Sequence, residues 1–338
     1  MKILIGMSGG VDSSFAALSL LREQNEVEGI LLKMHDFTSE TGAIQTADSL
    51  GIPLHVVDCR KEFEKTVVEN FKAEYLLGRT PNPCILCNRE VKFRFLLSFA
   101  EEHGFDRIAT GHYAGTECVN GRYCITRGEE KKDQSYMLAR LTQEEIAKTL
   151  FPIGQTDKAA LREEAEKAGL PTAKAADSQE ICFVPNDDYA AFIASRVSPL
   201  PPPGNFIDEE GKVLGVHRGI LHYTVGQRKG LGIALGVPHY VSKINAETNE
   251  VTLTAADPLS SGFSADSLVF QATSPEERIE NEPFLAKIRY SSRFLPVRVS
   301  VREGVAHADF ESPQRAVTPG QSAVFYRENR VCFSGIIR

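Results

Sequence analysis

The sequence predicts an α/β doubly wound parallel sheet followed by two small β domains, the last of which is a β-barrel. Three observations lead to this expectation. Strand and helix patterns alternate up to about residue 115, a proline-rich stretch occupies residues 198–204, and the remainder carries short strand patterns with almost no helical period. Because 338 residues are too many for one simple core, we expect two or three domains.

The first part of the chain repeats strand and helix in βα order, which predicts a parallel sheet with helices on both faces. Short apolar runs predict strands at Lys2–Gly6, Val27–Met34, Leu54–Asp58 and Arg107–Ala109. Apolar residues at helical spacing predict helices at Phe15–Arg22, Ile44–Leu50, Phe63–Leu77, Glu90–Glu102, Gln143–Leu150, Lys158–Ala168 and Asp188–Val197.

The stretch Ser198-Pro-Leu-Pro-Pro-Pro-Gly204 ends this pattern and marks the clearest domain boundary. A weaker boundary lies near residues 257–262. We therefore expect an α/β domain at 1–200, a central β domain at 204–260 and a C-terminal β-barrel at 261–338. Strands in the β region are predicted at Gly204–Ile207, Val213–Val216, His239–Asn245, Glu250–Thr254, Phe284–Ile288, Val297–Val301, Ala306–Phe310 and Ala323–Tyr326.

The composition argues against several classes of protein. Hydrophobic residues make up 42% and charged residues 25%, which is ordinary for a globular protein. No run of about 18 apolar residues predicts a transmembrane helix, and the N-terminus lacks a secretory pattern. Seven cysteines, an odd number, argue against a disulfide scaffold and favour a cytoplasmic location. A net charge of −7 favours nucleic-acid binding only if the basic residues gather on one face.

The most informative motif is Ser8-Gly-Gly-Val-Asp-Ser-Ser14, between the first strand and the first helix. Backbone N–H groups converge at such a helix start and hold phosphate oxygens. Gly9 and Gly10 allow an anion to approach closely, the serines offer hydroxyl groups, and Asp12 is suited to bind Mg²⁺. No Gly-Lys-Ser/Thr follows, so this is not the loop that binds the β- and γ-phosphates for hydrolysis.

Two segments outside the predicted helices carry cysteines of chemical interest. Thr80-Pro-Asn-Pro-Cys-Ile-Leu-Cys-Asn88 precedes the helix predicted from Glu90, and Asp177-Ser-Gln-Glu-Ile-Cys-Phe183 contains Cys182. Cys87 lies close to the predicted helix start, where the positive end of the helix dipole is expected to lower the pKa of its thiol. The remaining cysteines are expected to fill the core: Cys59, Cys118, Cys124 and Cys332.

Several interpretations of Cys84, Cys87 and Cys182 remain open from the residues alone. A structural zinc site needs four ligands, and no second Cys-x-x-Cys or paired histidine is present. Cys87 and Cys182 can instead form a nucleophile and a persulfide carrier, or all three thiolates can hold a [4Fe–4S] cluster with one open iron. Simple packing in the core is the remaining alternative.

Basic residues concentrate in the β region, although the chain as a whole is acidic. Residues 284–302 contain no acidic residue, and a second group lies between residues 217 and 229. Such stripes favour contact with nucleic-acid phosphates over ordinary surface charge. The first group is Lys287, Arg289, Arg293, Arg298 and Arg302, and the second is His217, Arg218, His222, Arg228 and Lys229.

These blocks together resemble a known family. The Ser-Gly-Gly-x-Asp-Ser string is similar to the pyrophosphate loop of N-type ATP pyrophosphatases. With Thr110–Tyr113, Lys132–Tyr136, Phe151–Gly154 and Tyr223–Ile233, the chain resembles the bacterial tRNA-specific 2-thiouridylases, the MnmA family, over almost its whole length. The resemblance implies an N-type PP-loop fold that uses ATP with Mg²⁺. It also implies sulfur transfer to the wobble uridine, position 34, of tRNAs for Lys, Glu and Gln, with a sulfur-relay protein or a cysteine desulfurase as donor.

The resemblance further implies roles for single residues. Cys87 matches the catalytic nucleophile and Cys182 the persulfide cysteine, while Asn82, Pro83 and Cys84 match the segment that meets the target base. The positions implied to bind ATP are Gly6, Met7, Ser8, Gly9, Gly10, Val11, Asp12, Ser13, Met34 and Gly111. The positions implied to contact tRNA elsewhere are His112, Lys132, Asp133, Gln134, Arg289, Tyr290 and Gln321.

The sequence departs from the family at position 84, where the best-known members carry Asp. Because a thiol does not replace a carboxylate base, the general-base role is in question here. A third thiolate makes a [4Fe–4S] cluster on Cys84, Cys87 and Cys182 easier to hold. The segment between Met34 and Gly42 is also short for the family, so we expect different contacts with the sulfur donor.

The expected mechanism follows from the chemistry of uracil, whose O2 does not leave as oxide. Attack of O2 on the α-phosphorus of ATP gives an adenylated base and diphosphate, and AMP then leaves when sulfur attacks C2. The sulfur arrives as a Cys182 persulfide or, in the alternative, as sulfide on the open iron. Two rival functions are a small-molecule ATP pyrophosphatase, which leaves the cysteines unexplained, and a non-catalytic RNA-binding protein, which leaves the phosphate loop unexplained.

Overall fold

A parallel five-stranded sheet forms the centre of the first part of the chain. The computed structural model describes residues 1–176, 181–315 and 317–338. The strands are β1 (Lys2–Gly6), β2 (Glu26–Lys33), β3 (Leu54–Asp58), β4 (Arg107–Ala109) and β7 (Thr149–Leu150), in the spatial order β3-β2-β1-β4-β7. The sequence order reverses between β1 and β4, and in such sheets ligands bind at the carboxyl ends of the strands beside this reversal.

Helices cover both faces of the sheet, as the sequence predicted. α1, α2 and α8 pack on one face through apolar residues that include Phe15 and Leu161, and α3 to α6 pack on the other through residues that include Phe71 and Phe93. No helix in the described ranges has the length and apolarity needed to cross a membrane. The helices are α1 (Val11–Arg22), α2 (Thr41–Leu50), α3 (Arg60–Phe63), α4 (Glu69–Leu76), α5 (Pro83–Cys87), α6 (Arg94–Glu102), α7 (Gln143–Ala147), α8 (Lys158–Lys167) and α9 (Tyr189–Ala194).

Two of these helical segments continue through π-helical turns. α3 passes through Glu64–Val68 into α4, and α5 passes through Asn88–Phe93 into α6. The helix predicted from Glu90 therefore begins at Pro83, about two turns earlier. Since π-turns are frequent at functional sites, the one that directly follows Cys87 draws attention to this helix.

A hairpin that was not predicted joins the sheet to the C-terminal part. It consists of β5 (Ala114–Val119) and β6 (Arg122–Arg127), and Thr126 pairs with Arg330 at the start of β17 (Arg330–Ile337). The Arg330 guanidinium also donates to both oxygens of Glu117 at 2.8 and 3.0 Å. This bidentate pair and the strand pairing fix the barrel against the α/β domain.

The central β region is a four-stranded sheet built from the four strands predicted there. Its strands are β8 (Gly204–Ile207), β9 (Val213–His217), β10 (Tyr240–Asn245) and β11 (Glu250–Thr254), in the order β10-β11-β8-β9. Phe206, Tyr223, Val241 and Val251 form the centre of its core.

The C-terminal region closes into a six-stranded antiparallel barrel, which confirms the predicted barrel. The ring runs β12-β15-β14-β13-β16-β17 and closes through the pairing of β12 with β17. Sequence analysis missed β12 and β17, whose pairing removes both free sheet edges. The remaining strands are β12 (Leu259–Phe270), β13 (Glu282–Lys287), β14 (Leu295–Arg302), β15 (Val305–Arg315) and β16 (Ser322–Arg327).

Candidate active site

The turn between β1 and α1 has the geometry of an anion site. Gly10 is the N-cap residue of α1, so no side chain at this position caps the first N–H groups of the helix. Ser13 Oγ accepts the N–H of Ser8 at 3.2 Å and donates to the carbonyl of Gly10 at 3.1 Å, which holds the turn in shape. N–H groups left uncapped at a helix N-terminus attract phosphate oxygens.

Ser14, which was expected to offer its hydroxyl group to phosphate, points into the core instead. Its side chain is fully buried. The hydroxyl group donates to the Gly10 carbonyl at 3.0 Å, accepts from Thr172 at 2.8 Å and lies 3.1 Å from the Thr46 hydroxyl. Ser14 therefore ties α1 to α2 and to the segment after α8, and its role in the motif is structural.

Glycine allows two close backbone approaches around this turn. Gly9 has a φ of +77°, which side chains rarely adopt. A Cβ on Gly111 would lie 2.7 Å from the backbone nitrogen of Ser13 and 2.8 Å from the carbonyl carbon of Asp12. The loop after β4 therefore reaches the first turn of α1 only because residue 111 is glycine, and Gly111 lies directly beside the phosphate-binding candidate.

A cation that sequence analysis missed lies at the same turn. Lys158 Nζ donates to Asp12 Oδ1 at 2.6 Å, and the Tyr113 hydroxyl donates to the same oxygen at 2.7 Å. Only 13% of the Lys158 side chain is exposed, so water screens this pair weakly. Asp157 caps the helix that begins at Lys158. That capping signal is visible in the sequence, but it does not show that the lysine faces Asp12.

The segment with Cys84 and Cys87 is the first turn of a helix rather than a loop. Asn82 is the N-cap, and its Oδ1 accepts the N–H groups of Cys84 at 3.1 Å and Ile85 at 3.3 Å. Pro83 occupies the first helical position, where its missing N–H costs nothing. Asn followed by Pro is a helix-start signal, and it was the sign in the sequence that the helix begins before Glu90.

The environment of Cys87 contradicts the expected low pKa. The thiol is 6% exposed, and its Sγ lies 3.6 Å from Met34 Sδ at the carboxyl end of β2. Burial raises the pKa of the Cys87 thiol to about 12, although the positive charge of Lys92 opposes this shift. Because the helix begins at Pro83, Cys87 is also four residues inside it, where the dipole effect has faded. Desolvation therefore outweighs the helix dipole.

Cys182 approaches the same region from the far end of the α/β domain. Its side chain is exposed, whereas the next residue, Phe183, is buried and packs edge-on against Phe63 and Phe71 at ring distances of 5.3 and 5.4 Å. Cys182 and Cys84 both act electrostatically on Cys87. The surrounding protein raises the pKa of the Cys182 and Cys84 thiols as well. The motif around Cys182 is only partly visible, because residues 177–180 lie outside the described residues.

The three cysteines are not arranged as a ready metal site. Within the described residues, no three His, Cys, Asp or Glu side chains are grouped so that they can hold a metal ion. All three cysteines are free, and burial raises the pKa of each thiol. The residues in this arrangement therefore do not fit the expected cluster.

Three positions implied to contact tRNA lie in the turn after β6. The Asp133 carboxylate is 8% exposed and accepts the N–H groups of Gly128 and Ser135 at 3.1 and 3.0 Å. Gln134 Oε1 accepts the N–H of Tyr113 at 2.9 Å. Both side chains therefore shape the turn that carries Lys132.

His112 and Gln321 lie at the edges of the site. Burial lowers the pKa of His112 to about 3, so its ring is neutral near pH 7 and offers no positive charge to RNA. Gln321 Nε2 donates to the carbonyl of Thr80 at 2.7 Å, and the Thr80 N–H donates to Pro319 at 2.9 Å. Gln321 thus joins a barrel turn to the segment that leads into α5.

The two basic stripes differ from the expected exposed surfaces. In the first stripe, Arg298 faces solvent on β14, whereas Lys287 at the end of β13 is only 8% exposed. In the second stripe, His217 is buried, its Nδ1 accepts the Gly219 N–H at 3.1 Å, and burial lowers its pKa. His217 is therefore a core residue, and Arg218, Arg228 and Lys229 remain as the cations of that group.

Family models match almost the whole chain. The tRNA methyl transferase HUP domain matches residues 1–186, the tRNA methyl transferase PRC-barrel domain residues 190–255, and the Aminomethyltransferase beta-barrel domain residues 260–337. A tRNA-specific 2-thiouridylase MnmA from Carboxydothermus hydrogenoformans is 44% identical over 99% of this chain and 97% of its own length. One from Acetivibrio thermocellus is also 44% identical, over 100% of this chain and 99% of its own length.

The chain belongs to the MnmA family. The names of the relatives confirm the predicted enzyme class, a tRNA-uridine 2-sulfurtransferase. Among solved structures, a 4-thiouridine synthetase in complex with RNA and ATP matches 52% of this chain and 42% of that protein, with 21% identity and a TM-score of 0.37.

In this MnmA-family chain a cavity of about 560 Å³ opens at the carboxyl ends of β2 and β3. Met34 and Phe183 line it, and these residues also border the thiols of Cys87 and Cys182. The cavity does not include the phosphate-binding turn. The site thus combines an anion-binding helix start, two thiols and an adjoining cavity along one edge of the sheet.

Proposed function

We propose that this protein catalyses ATP-dependent 2-thiolation of the wobble uridine (position 34) of tRNA, giving 2-thiouridine, AMP and diphosphate. The observation that carries the proposal is that Cys182 lies close enough to Cys87, beside the end of β2, to act on it electrostatically. Cys182 acts electrostatically on Cys87, and Cys87 contacts Met34, a residue implied to border adenosine. Two thiols at the carboxyl edge of a nucleotide-binding sheet serve sulfur transfer to an adenylated base, which a small-molecule ligase does not need.

The first step is activation of the base. Uracil O2 attacks the α-phosphorus of ATP, the bond to the bridging oxygen breaks, and diphosphate leaves toward the α1 N-terminus. The uncapped N–H groups of α1 and the Lys158 ammonium stabilise the negative charge that develops there. Mg²⁺ bound to the diphosphate would use the Asp12 carboxylate, which in this arrangement Lys158 and Tyr113 already contact.

The second step is transfer of sulfur. Cys182 is exposed and accepts a sulfane sulfur to become a persulfide, whereas Cys87 is buried and shielded from the donor. The terminal persulfide sulfur attacks C2 and AMP leaves. Cys87 then attacks the inner sulfur, releases 2-thiouridine and leaves a Cys87–Cys182 disulfide that an external thiol reduces. Alternatively, Cys87 attacks first and the hydrosulfide that it releases attacks C2.

The substrates and the sulfur donor that we propose are those that the resemblance implies. We expect tRNAs for Lys, Glu and Gln as substrates, a sulfur-relay protein or a cysteine desulfurase as donor, and a cytoplasmic location. The residues that we propose to bind ATP and to contact tRNA are those that the resemblance implies. The catalytic domain is proposed to span 1–200, the central β domain 204–260 and the tRNA-binding barrel 261–338.

The proposal is tested by a single-turnover assay with ATP, tRNA and a persulfide-loaded enzyme. AMP release should require tRNA, and neither ammonia nor an amino acid should replace it. Cys182→Ser and Cys87→Ser should each abolish 2-thiouridine formation, whereas Cys118→Ser, which removes an exposed cysteine on β5, should retain it. Formation of 2-thiouridine by Cys87→Ser at the wild-type rate would refute the assignment of the nucleophile.

Position 84 separates the persulfide route from the cluster alternative. Cys84→Asp should retain activity on the persulfide route, because Cys84 takes no part in its bond changes. If sulfide from a [4Fe–4S] cluster were the nucleophile, the same variant of anaerobically purified protein should lose both iron and activity. Iron and sulfide analysis before and after the substitution therefore decides between the two routes.

A further inference from the structure

The seam between the α/β domain and the barrel contains a buried lysine inside an aromatic cluster. Lys287 is 8% exposed, and its Nζ lies 5.9 Å from the centre of the Tyr136 ring, 5.5 Å from Tyr290 and 5.3 Å from Phe294. Rings at these distances stabilise an ammonium group by cation–π attraction. Burying the Lys287 ammonium costs desolvation energy. If this lysine were only structural, we would expect a buried carboxylate paired directly with it.

The nearby charges leave an excess of positive charge. Among the described residues around this cluster, Asp133 supplies the negative charge. Its carboxylate already accepts hydrogen bonds from Gly128 and Ser135. Arg127 Nε lies 3.8 Å from the same carboxylate, and the Arg127 guanidinium carbon lies 4.3 Å from the centre of the Phe294 ring. The buried Nε of Arg127 has no hydrogen-bond acceptor within the described residues. The buried Lys287 and the half-buried Arg127 thus share one carboxylate that is already hydrogen-bonded.

Further cations surround the opening of the cluster. Lys132 acts electrostatically on Tyr290, and Arg289 acts on Tyr136. Tyr290 is 39% exposed, so the cluster opens to solvent on its side. An opening that exposes part of an aromatic ring beside Lys287 fits a phosphodiester next to an unstacked base, which is the chemistry of single-stranded RNA.

The cluster is also connected to the helix that carries the nucleophile. The Asn82 side chain, at the N-cap of α5, acts on the Tyr136 hydroxyl, and this hydroxyl donates to the carbonyl of Ser322 in the barrel at 2.8 Å. A phosphate held at Lys287 would therefore lie on the RNA strand whose base approaches residues 82–84.

We propose that Lys287, supported by Arg127, binds one backbone phosphate of the RNA strand that enters the active site. The proposal rests on the proposed function and adds a residue that neither the resemblance nor the family match assigns. Lys287 is a binding residue in this scheme, because its ammonium contacts the phosphate. Arg127 is a positioning residue, because it neutralises Asp133 and leaves the Lys287 charge available to RNA.

The test measures binding of an anticodon stem–loop RNA to the full-length protein at several salt concentrations. Lys287→Met keeps the length of the side chain and suits an aromatic site. We expect it to weaken binding about tenfold and to reduce the slope of log K against log salt by about 0.7–0.9, the value for one lost phosphate contact. Lys287→Arg should keep the slope. Arg107→Met removes an exposed cation at the amino end of β4, at the opposite edge of the parallel sheet from the active site, and is the control, with the slope unchanged.

A second arm locates the phosphate on the RNA. Each phosphodiester of the RNA is replaced in turn by a neutral methylphosphonate, and affinity is measured with the wild-type protein and with Lys287→Arg and Lys287→Met. One position should weaken wild-type binding about tenfold and have no effect on Lys287→Met. If RNA binds and is thiolated but no position depends on residue 287, the phosphate site is refuted and the proposed function stands. If the wild-type protein binds no RNA, both are refuted.

Discussion

The reactivity of Cys87 in the free protein is the sharpest prediction of the structure. The thiol is 6% exposed, and burial raises its pKa to about 12 from an ordinary value of 9.0. At pH 8 about one in ten ordinary thiols is ionised, whereas about one in ten thousand Cys87 thiols would be. The thiolate population of Cys87 is therefore about 1000-fold smaller than in the unfolded chain.

The small thiolate population of Cys87 does not lower its alkylation rate by the same factor. A thiolate becomes more nucleophilic as its pKa rises, with a Brønsted coefficient of about 0.4–0.5, and three pKa units therefore return a factor of about 15–30. Ionisation alone should slow alkylation by iodoacetamide roughly 50-fold at pH 8, and the small exposed fraction of the side chain should slow it further. We expect Cys87 to react at least about 50-fold more slowly in the folded protein than in urea.

The assay is timed alkylation followed by peptide mass spectrometry, with the protein in urea as the reference. Cys182 should be modified long before Cys87, because its side chain is exposed. The free energy of unfolding should also fall as pH rises from 9 toward 12, since the folded state retains a proton that the unfolded state loses, by at most about 1.4 kcal/mol per pH unit. Cys87→Ala should reduce this pH dependence. Alkylation of Cys87 in the folded protein within threefold of its rate in urea would contradict the assigned burial.

Three further predictions concern the rest of the site. Lys158→Met removes the cation 2.6 Å from Asp12 and should slow tRNA-dependent AMP release about 100-fold, without changing the alkylation rate of Cys182; an unchanged AMP rate would exclude a role in charge stabilisation. Gly111→Ala places a Cβ 2.7 Å from the Ser13 nitrogen and should lower the free energy of unfolding by about 1–3 kcal/mol and weaken ATP binding, as calorimetry and nucleotide titration would detect. Asn82→Ala should cost about 1 kcal/mol in thermal unfolding and slow sulfur transfer, while ATP binding stays at the wild-type level.

The sequence predicted the α/β part well because its elements are local. A strand, a glycine turn and a helix follow one another at residues 2–22, and the turn forms from neighbours in the chain. The same holds for the four strands of the central sheet, each of which has its own apolar pattern. Local patterns thus determined the class of fold and the position of the phosphate-binding candidate.

The elements that were missed depend on partners distant in sequence. β5 and β6 follow the last strand predicted in the first half of the chain. β6 pairs with β17, about two hundred residues later in the sequence. The end of β12 pairs with β17 to close the barrel. No periodicity within a strand reveals which distant strand will pair with it, so the order of the strands around the barrel and its attachment to the α/β domain came only from the structure.

The site residues divide in the same way. Cys87 was recognised from its motif, but the direction of its pKa shift was wrong, because the motif shows a helix start and not how deeply the thiol is buried. Lys158 was placed at a helix start, but its contact with Asp12 arises from the packing of α8 against α1. Residue type and spacing therefore predicted which side chains are candidates for the chemistry. The protonation state of the Cys87 thiol and the contact of Lys158 depend on burial and on packing between distant elements.

The protonated state of Cys87 has a consequence for the order of events. In the proposed mechanism a neutral, buried Cys87 thiol does not attack the Cys182 persulfide in the absence of substrate, so the sulfur on Cys182 is not lost as hydrosulfide before RNA binds. The positive charge of Lys92 favours the thiolates of Cys84, Cys87 and Cys182. In the free protein desolvation, which favours the neutral thiols, has the larger effect on all three pKa values. Entry of the RNA base, or departure of AMP, must shift this balance before Cys87 ionises. Since Cys84 is a neutral thiol and not a carboxylate, it cannot accept a proton from Cys87, and in the proposed mechanism this proton leaves to the substrate, to AMP or to water.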